Sequence, residues 1–305
     1  MGERKLMPPE VSRKSVRYWW DRSLSCAEAL FTILNRAAGI ELIAEEQAAH
    51  ALAGGVLNSG RACGMLWGAA LAAGAQAQAR FERGEVAAVA ALQITARMQD
   101  EFRDLIGAAD CREIIGQDLT TVFGKVGYVT SGAAVTCTRL ALKWSPEAHD
   151  LIQTGLADFD PAAVTRPLNN CAVMTMRFLA GPLGLDPERT PGLTAGFAGG
   201  LGLKGNTCGA LAAGIFALAL NYYHAQGRQA RDSRLRALAQ EIGLGKGFTV
   251  KPAQLRAAFL TRFRTDQCRE LVSRGFASPE DLSTYLADGG CKEVIEFVAV
   301  KSQSF

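Results

Sequence analysis

The chain has 305 residues, of which 49% are apolar and 21% charged, with a formal charge of +3. This composition fits a soluble globular protein with a substantial core, and the scattered Lys and Arg do not form the basic footprint that a nucleic-acid partner requires. The polar start, MGERKLMPPEVSRKSV, has no apolar stretch of the secretory kind, so the cytoplasm is the expected location.

Taken in order, most segments read as helix. In CAEALFTILNRAAG, Ala29, Leu30, Ile33 and Leu34 share one face and Gly39 closes it. EEQAAHALAGGVL and ALQITARMQDEFRDLIG repeat that spacing. KVGYVTSGAAV, residues 125–135, is the one strand candidate. Residues 207–223 form the longest apolar run, but it is rich in Gly and Ala and is closed by Asn221 and His224. We read it as a buried helix and expect no membrane span. PAQLRAAFLTRF and PEDLSTYLADGG each open on a proline suited to a first helical position. The expected fold is all-α.

The chain also repeats itself. An offset of 145 places Cys26 on Cys171, Cys63 on Cys208, Gly54-Gly55 on Gly199-Gly200, and Gly60 on Gly205. After an insertion near HAQGRQARDSRLR the offset becomes 157, which aligns CREII at Cys111 with CRELV at Cys268, and Phe102 with Phe259. Cys137 and Cys291 complete two ordered sets of four. We therefore expect two helical repeats, residues 15–150 and 165–305, packed as a pseudo-twofold bundle. Pro146, Pro161 and Pro167 interrupt the pattern at their boundary.

Most of the cysteines stand where helices should begin. Ser25 and Glu28 have capping-box form before and after Cys26, Asn170 can cap at Cys171, Asn206 or Thr207 at Cys208, and Asp110 with Glu113 at Cys111. Gly289 and Gly290 precede Cys291. Free N–H groups and the positive helix end favour thiolate there, so lowered thiol pKa values are expected. No CxxC pair occurs, and His50, His149 and His224 do not stand at zinc-knuckle spacing. GLGLKG, residues 200–205, matches G-x-G-x-x-G but follows a poor strand and lacks an acidic residue at the required distance, so nucleotide binding is set aside. His50 and His224 read as satisfied or solvated, and Trp19 and Trp20 as an N-terminal packing or interface element. Arg112–Glu113 and Arg269–Glu270 read either as site-orienting or as ordinary helix charges.

The pattern SCAEAL, CGMLWG, CREIIG and Cys137, followed by NCAVMT, CGALAA, CRELVS and Cys291, resembles the redox-active bacterial family named for a C…GCAxxG…C…C arrangement. Members are about half this length, so the chain is similar to two fused copies. Met65 stands where the motif has Ala, and Ala213 where its last Gly falls, with Gly214 one step on. The resemblance implies redox function and association with a redox partner protein or an oxidoreductase. It does not fix a reaction, and it leaves a homo-oligomer open.

Three functions are weighed. The first is electron transfer through one iron–sulfur cluster per half, with Cys26, Cys63, Cys111 and Cys137, and Cys171, Cys208, Cys268 and Cys291, as metal ligands. Gly64 and Gly209 would admit the cofactor to the backbone. The second is metal-free thiol–disulfide chemistry. The third is a non-catalytic assembly module. If the protein is an enzyme, it is an oxidoreductase or an electron-transfer subunit of one.

Overall fold

The computed structural model describes residues 11–23, 25–226 and 247–305. Among these, fifteen α-helices and no strands occur. In the first half they are α1 (Arg13–Trp20), α2 (Cys26–Ala37), α3 (Ile43–Ala48), α4 (Gly64–Arg80), α5 (Gly84–Ile106), α6 (Cys111–Ile115), α7 (Val122–Thr130) and α8 (Ala133–Ala157). The second half contains α9 (Cys171–Ala180), α10 (Thr190–Leu193), α11 (Gly209–Gln226), α12 (Val250–Phe263), α13 (Cys268–Val272), α14 (Pro279–Ala287) and α15 (Lys292–Gln303). The insertion expected near residue 230 lies outside the described residues.

Apart from α1, the halves repeat each other element by element. α2 packs on α4 as α9 packs on α11, and α4 on α5 as α11 on α12. α8 covers α2, α4 and α5 as α15 covers α9, α11 and α12. The contacts between halves are reciprocal. α3 and the 3-10 turn Ala49–Leu52 lie on α11, while α10 and the 3-10 turn Ala195–Phe197 lie on α4. Each half thus lends the segment before its own central helix to the other half. This exchange makes a pseudo-twofold bundle with one continuous apolar core.

The central helices α4 and α11 are buried almost all round, from Leu66 to Ala77 and from Ala210 to Leu220. A helix apolar on every face needs neighbours on every side, and their small side chains let those neighbours approach. At Gly68, a Cβ would stand 2.3 Å from the carbonyl oxygen of Ala27, so this glycine sets the close crossing of α2 and α4. No helix is long and apolar enough to cross a membrane among the described residues.

Local capping fixes several starts. The side chain of Ser25 accepts from the Glu28 N–H at 3.3 Å, and that of Asn170 from the Ala172 and Val173 N–H groups at 3.1 Å. Three expectations need correction. Residues 125–135 are not a strand: Thr121 caps α7 by accepting from the Gly124 N–H at 3.0 Å, and Gly132 in a left-handed conformation then opens α8. Helical main-chain bonds, Lys125 to Thr121 and Ser131 to Gly127, override the β-branched composition. Pro146 does not end its helix, because α8 runs through it with Ala141, Trp144, Ala148 and Ile152 buried on the core. Their burial outweighs the roughly 3 kcal/mol cost of an internal proline. Asp110 makes no side-chain cap; its backbone is instead engaged in a bridge described below.

Candidate functional site: two sets of four thiols

Each half gathers its cysteines with the same three devices. The first is a two-residue antiparallel bridge, Ala62–Asp110 in one half and Thr207–Gln267 in the other. Around it, Cys63 N–H donates to Ala109 O and Cys111 N–H to Arg61 O, both at 2.8 Å. Cys208 N–H donates to Asp266 O and Cys268 N–H to Asn206 O, both at 2.7 Å. The second and third cysteines of each set are thereby pinned side by side, although 48 residues in one half and 60 in the other separate them in sequence.

The second device is a left-handed turn. Residues 54–58 and 199–203 all have φ between 53° and 78°. Three of these residues in the first half, Val56, Leu57 and Asn58, and two in the second, Leu201 and Leu203, are not glycine. Left-handed backbone costs about 1–2 kcal/mol per such residue. The matching bonds Gly60 N–H to Gly54 O at 2.8 Å and Gly205 N–H to Gly199 O at 3.0 Å close both turns. The turn delivers a main-chain donor, because the N–H of Gly54 points to the Cys26 sulfur and that of Gly199 to the Cys171 sulfur. GLGLKG is part of this turn, which explains its glycines without a nucleotide.

The third device is the helix start itself. Cys26, Cys171, Cys111 and Cys268 are the first residues of α2, α9, α6 and α13, while Cys63 and Cys208 immediately precede α4 and α11. Cys137 is the fifth residue of α8, and Cys291 precedes α15 in a left-handed conformation with φ 60°. The motif glycines make the joints. A Cβ on Gly64 would lie 2.5 Å from the Cys26 sulfur, and one on Gly209 would lie 2.3 Å from Phe197 O.

Together these devices bring each set into one neighbourhood. Every pair among Cys26, Cys63, Cys111 and Cys137 is close enough for one thiolate to raise the pKa of another. The same holds for every pair among Cys171, Cys208, Cys268 and Cys291. All eight are free thiols. Among the described residues, no group of three or more His, Cys, Asp or Glu is already drawn to bonding distance of one centre.

The expected lowering of thiol pKa is corrected. Burial pushes every cysteine up, Cys26 to about 11 and Cys208 to about 12, and neighbouring thiols add to the rise at most of them. Main-chain donors act in the opposite direction at Cys26, Cys63, Cys171 and Cys208, but they are outweighed. Desolvation of a charged sulfur exceeds what a helix start returns.

Two tyrosines escaped the sequence reading. The Tyr128 hydroxyl on α7 hydrogen-bonds the Cys137 sulfur, and Tyr285 on α14 lies near Cys291 and Cys268. Their offset is 157, the same as that of Cys111 and Cys268, so the repeat register held the signal. Arg112 and Arg269 act as clamps. Arg112 covers Gly60 and pairs with Asp118 at 2.9 Å, and Arg269 covers Gly205 and donates to Lys204 O at 3.1 Å. His50 is buried, 4.0 Å from Glu28. Trp19 is partly buried and packs on the core, as expected.

Residues 24–144 and 169–305 each match the family described as "Putative redox-active protein (C_GCAxxG_C_C)". The chain belongs to this family. Its two matches place one complete C_GCAxxG_C_C cysteine set in each half, in agreement with the repeated devices above. No curated protein and no solved structure matches the chain.

Proposed function

We propose that this redox-active protein carries electrons through two iron–sulfur clusters, one held by Cys26, Cys63, Cys111 and Cys137 and one by Cys171, Cys208, Cys268 and Cys291. The observation that carries this reading is the mutual electrostatic proximity of all four thiols in each set. Four thiolates is the ligand count of such clusters. A set of acids that raise one another's pKa favours either protons or a polyvalent cation. When bound, a cluster would supply one-electron chemistry at the buried sulfurs.

The chain's own residues have separable roles in this reading. The N–H groups of Gly54 and Gly199 and the Tyr128 hydroxyl donate to sulfur, which stabilises its charged form and raises a cluster's potential. Gly64 permits α4 to start against the Cys26 sulfur. The core of Leu30, Phe31, Trp67 and Phe197 excludes water from that side. Metal-free thiol–disulfide exchange has less support, because it needs only one attacking and one resolving thiol and gives no use to four mutually close thiols in each set. The test is strictly anaerobic purification and reconstitution with ferrous iron and sulfide, followed by visible absorption and thiol titration. A brown protein with all eight thiols shielded supports the proposal. A colourless protein that reversibly loses thiols in pairs on oxidation supports the exchange reading instead.

A further inference from the structure

The two halves differ where the site nears the surface. α7 and the start of α8 expose Val122 at 76%, Phe123 at 90%, Val126 at 56% and Val135 at 53%, the densest run of exposed large apolar residues among those described. The same helix carries Tyr128, bonded to the Cys137 sulfur, and Cys137 is only half-buried. In the other half, the equivalent helix α14 buries Pro279, Leu282, Ser283 and Leu286. That helix touches α5, and Ser283 Oγ accepts from Asn169 N–H at 2.8 Å. α7 has its main packing partner in α8.

Charge follows the same division. From Leu119 to Pro146 the chain contains Lys125, Arg139 and Lys143 and no Asp or Glu. The corresponding stretch of the second half, from Phe276 to Val300, contains Glu280, Asp281, Asp288, Glu293 and Glu296 against Lys292 alone. Asp118, just before α7, is paired with Arg112 at 2.9 Å, so the spot carries a net cationic surround. An exposed apolar spot of that kind, one helix away from a buried redox site, fits a partner of opposite surface chemistry.

We propose that the α7 face is the docking site of an acidic electron-carrier protein, one whose contact surface is an apolar spot ringed by carboxylates. The proposal rests on the electron-transfer reading above. In the step, the reduced carrier loses one electron and the oxidised first-half site gains it, with no bond made or broken. Phe123 and Val126 would fill the apolar centre, and Arg139 would steer the approach.

The test uses the reconstituted full-length protein, with reduced plant-type ferredoxin as the acidic donor, cytochrome c as a basic acceptor and dithionite as a small reductant. Stopped-flow absorption reads the second-order rate. The wild-type rate with ferredoxin should fall as salt is added. F123S/V126S and R139E should each lower that rate by roughly tenfold, the size of one interface anchor, while reduction by dithionite stays at the wild-type rate. Variants that react with ferredoxin like the wild type would overturn the proposal. It is equally overturned if cytochrome c exchanges electrons faster than ferredoxin with the wild type. A concentration-dependent dimer abolished by F123S would assign the face to a second copy, and slow amide exchange across α7 in dilute monomer would assign it to the chain itself. Failure of dithionite to reduce the wild type would instead reject the electron-transfer reading on which the proposal stands.

Discussion

Arg61 of the first half lies 3.6 Å from the carboxylate of Asp266 in the second. The main chains of both residues hold cysteines: Arg61 O accepts from Cys111 N–H, and Asp266 O accepts from Cys208 N–H. Asp266 is buried and also receives Arg256 Nε at 3.0 Å. One ion cluster therefore lies between the two thiol sets. Its counterpart by the repeat register, Asn206, Gln99 and Ala109, is uncharged, so the link is made once.

Asp266→Ala should destabilise the protein by about 3–5 kcal/mol, because it leaves the partly buried Arg256 without its partner. Arg61→Gln should cost under about 1 kcal/mol, because the Arg61 side chain is only partly buried and its pair is long. Chemical denaturation of the metal-free protein measures both, and equal costs would remove Asp266 from its role as the anchor.

The left-handed turns should tolerate no side chain at Gly55. A Cβ there would lie 2.3 Å from the backbone of Arg61, at φ 78°. Gly55→Ala should cost at least about 2 kcal/mol and disturb the first thiol set. Gly200→Ala should do the same to the second set, since its Cβ would lie 2.7 Å from Cys268 Cβ. Gly84→Ala, where nothing lies within 4 Å, serves as the neutral control. Thermal melts of the three variants decide the matter.

The metal-free protein should lose stability at alkaline pH. Each thiol pKa is raised on folding, so the folded state holds its protons longer than the unfolded chain. That stabilisation is complete below about pH 9 and disappears as pH rises through the folded values, about 11 for Cys26 and about 12 for Cys208. The melting temperature should therefore fall from pH 9 upward. Alkylation of native protein should be slow at pH 8, and fast uniform alkylation there would contradict the buried, protonated set.

Tyr128→Phe should lower the potential of the first site alone, by removing a donor to the Cys137 sulfur. It should cost about 0.5–1.5 kcal/mol of stability. Tyr285→Phe should leave both potentials unchanged. Redox titration monitored by visible absorption separates the two cases.

The sequence showed the repeat clearly, because cysteine order and glycine pairs survive at fixed offsets. Capping residues also marked real helix starts, as Ser25 and Asn170 do. Other features depend on tertiary contacts. Thr121 and Gly132 turned a β-branched stretch into two helices, and Val56 in a left-handed turn contradicts local propensity altogether. Helix-start reasoning gave the wrong sign for thiol acidity because the apolar run of α11 showed a buried helix but not that packing around α4 and α11 would bury the sulfurs at their starts as well. The tyrosines followed the repeat register but not a cysteine-based motif.

The most direct test of the central claim is the iron and acid-labile sulfide content of anaerobically reconstituted wild type, Cys63→Ala, Cys208→Ala and the double variant. Two independent four-thiol sites predict equal iron and sulfide in the wild type, half of each in either single variant and none in the double. Wild-type protein that binds neither iron nor sulfide, or single variants that keep the full amount, would contradict the account.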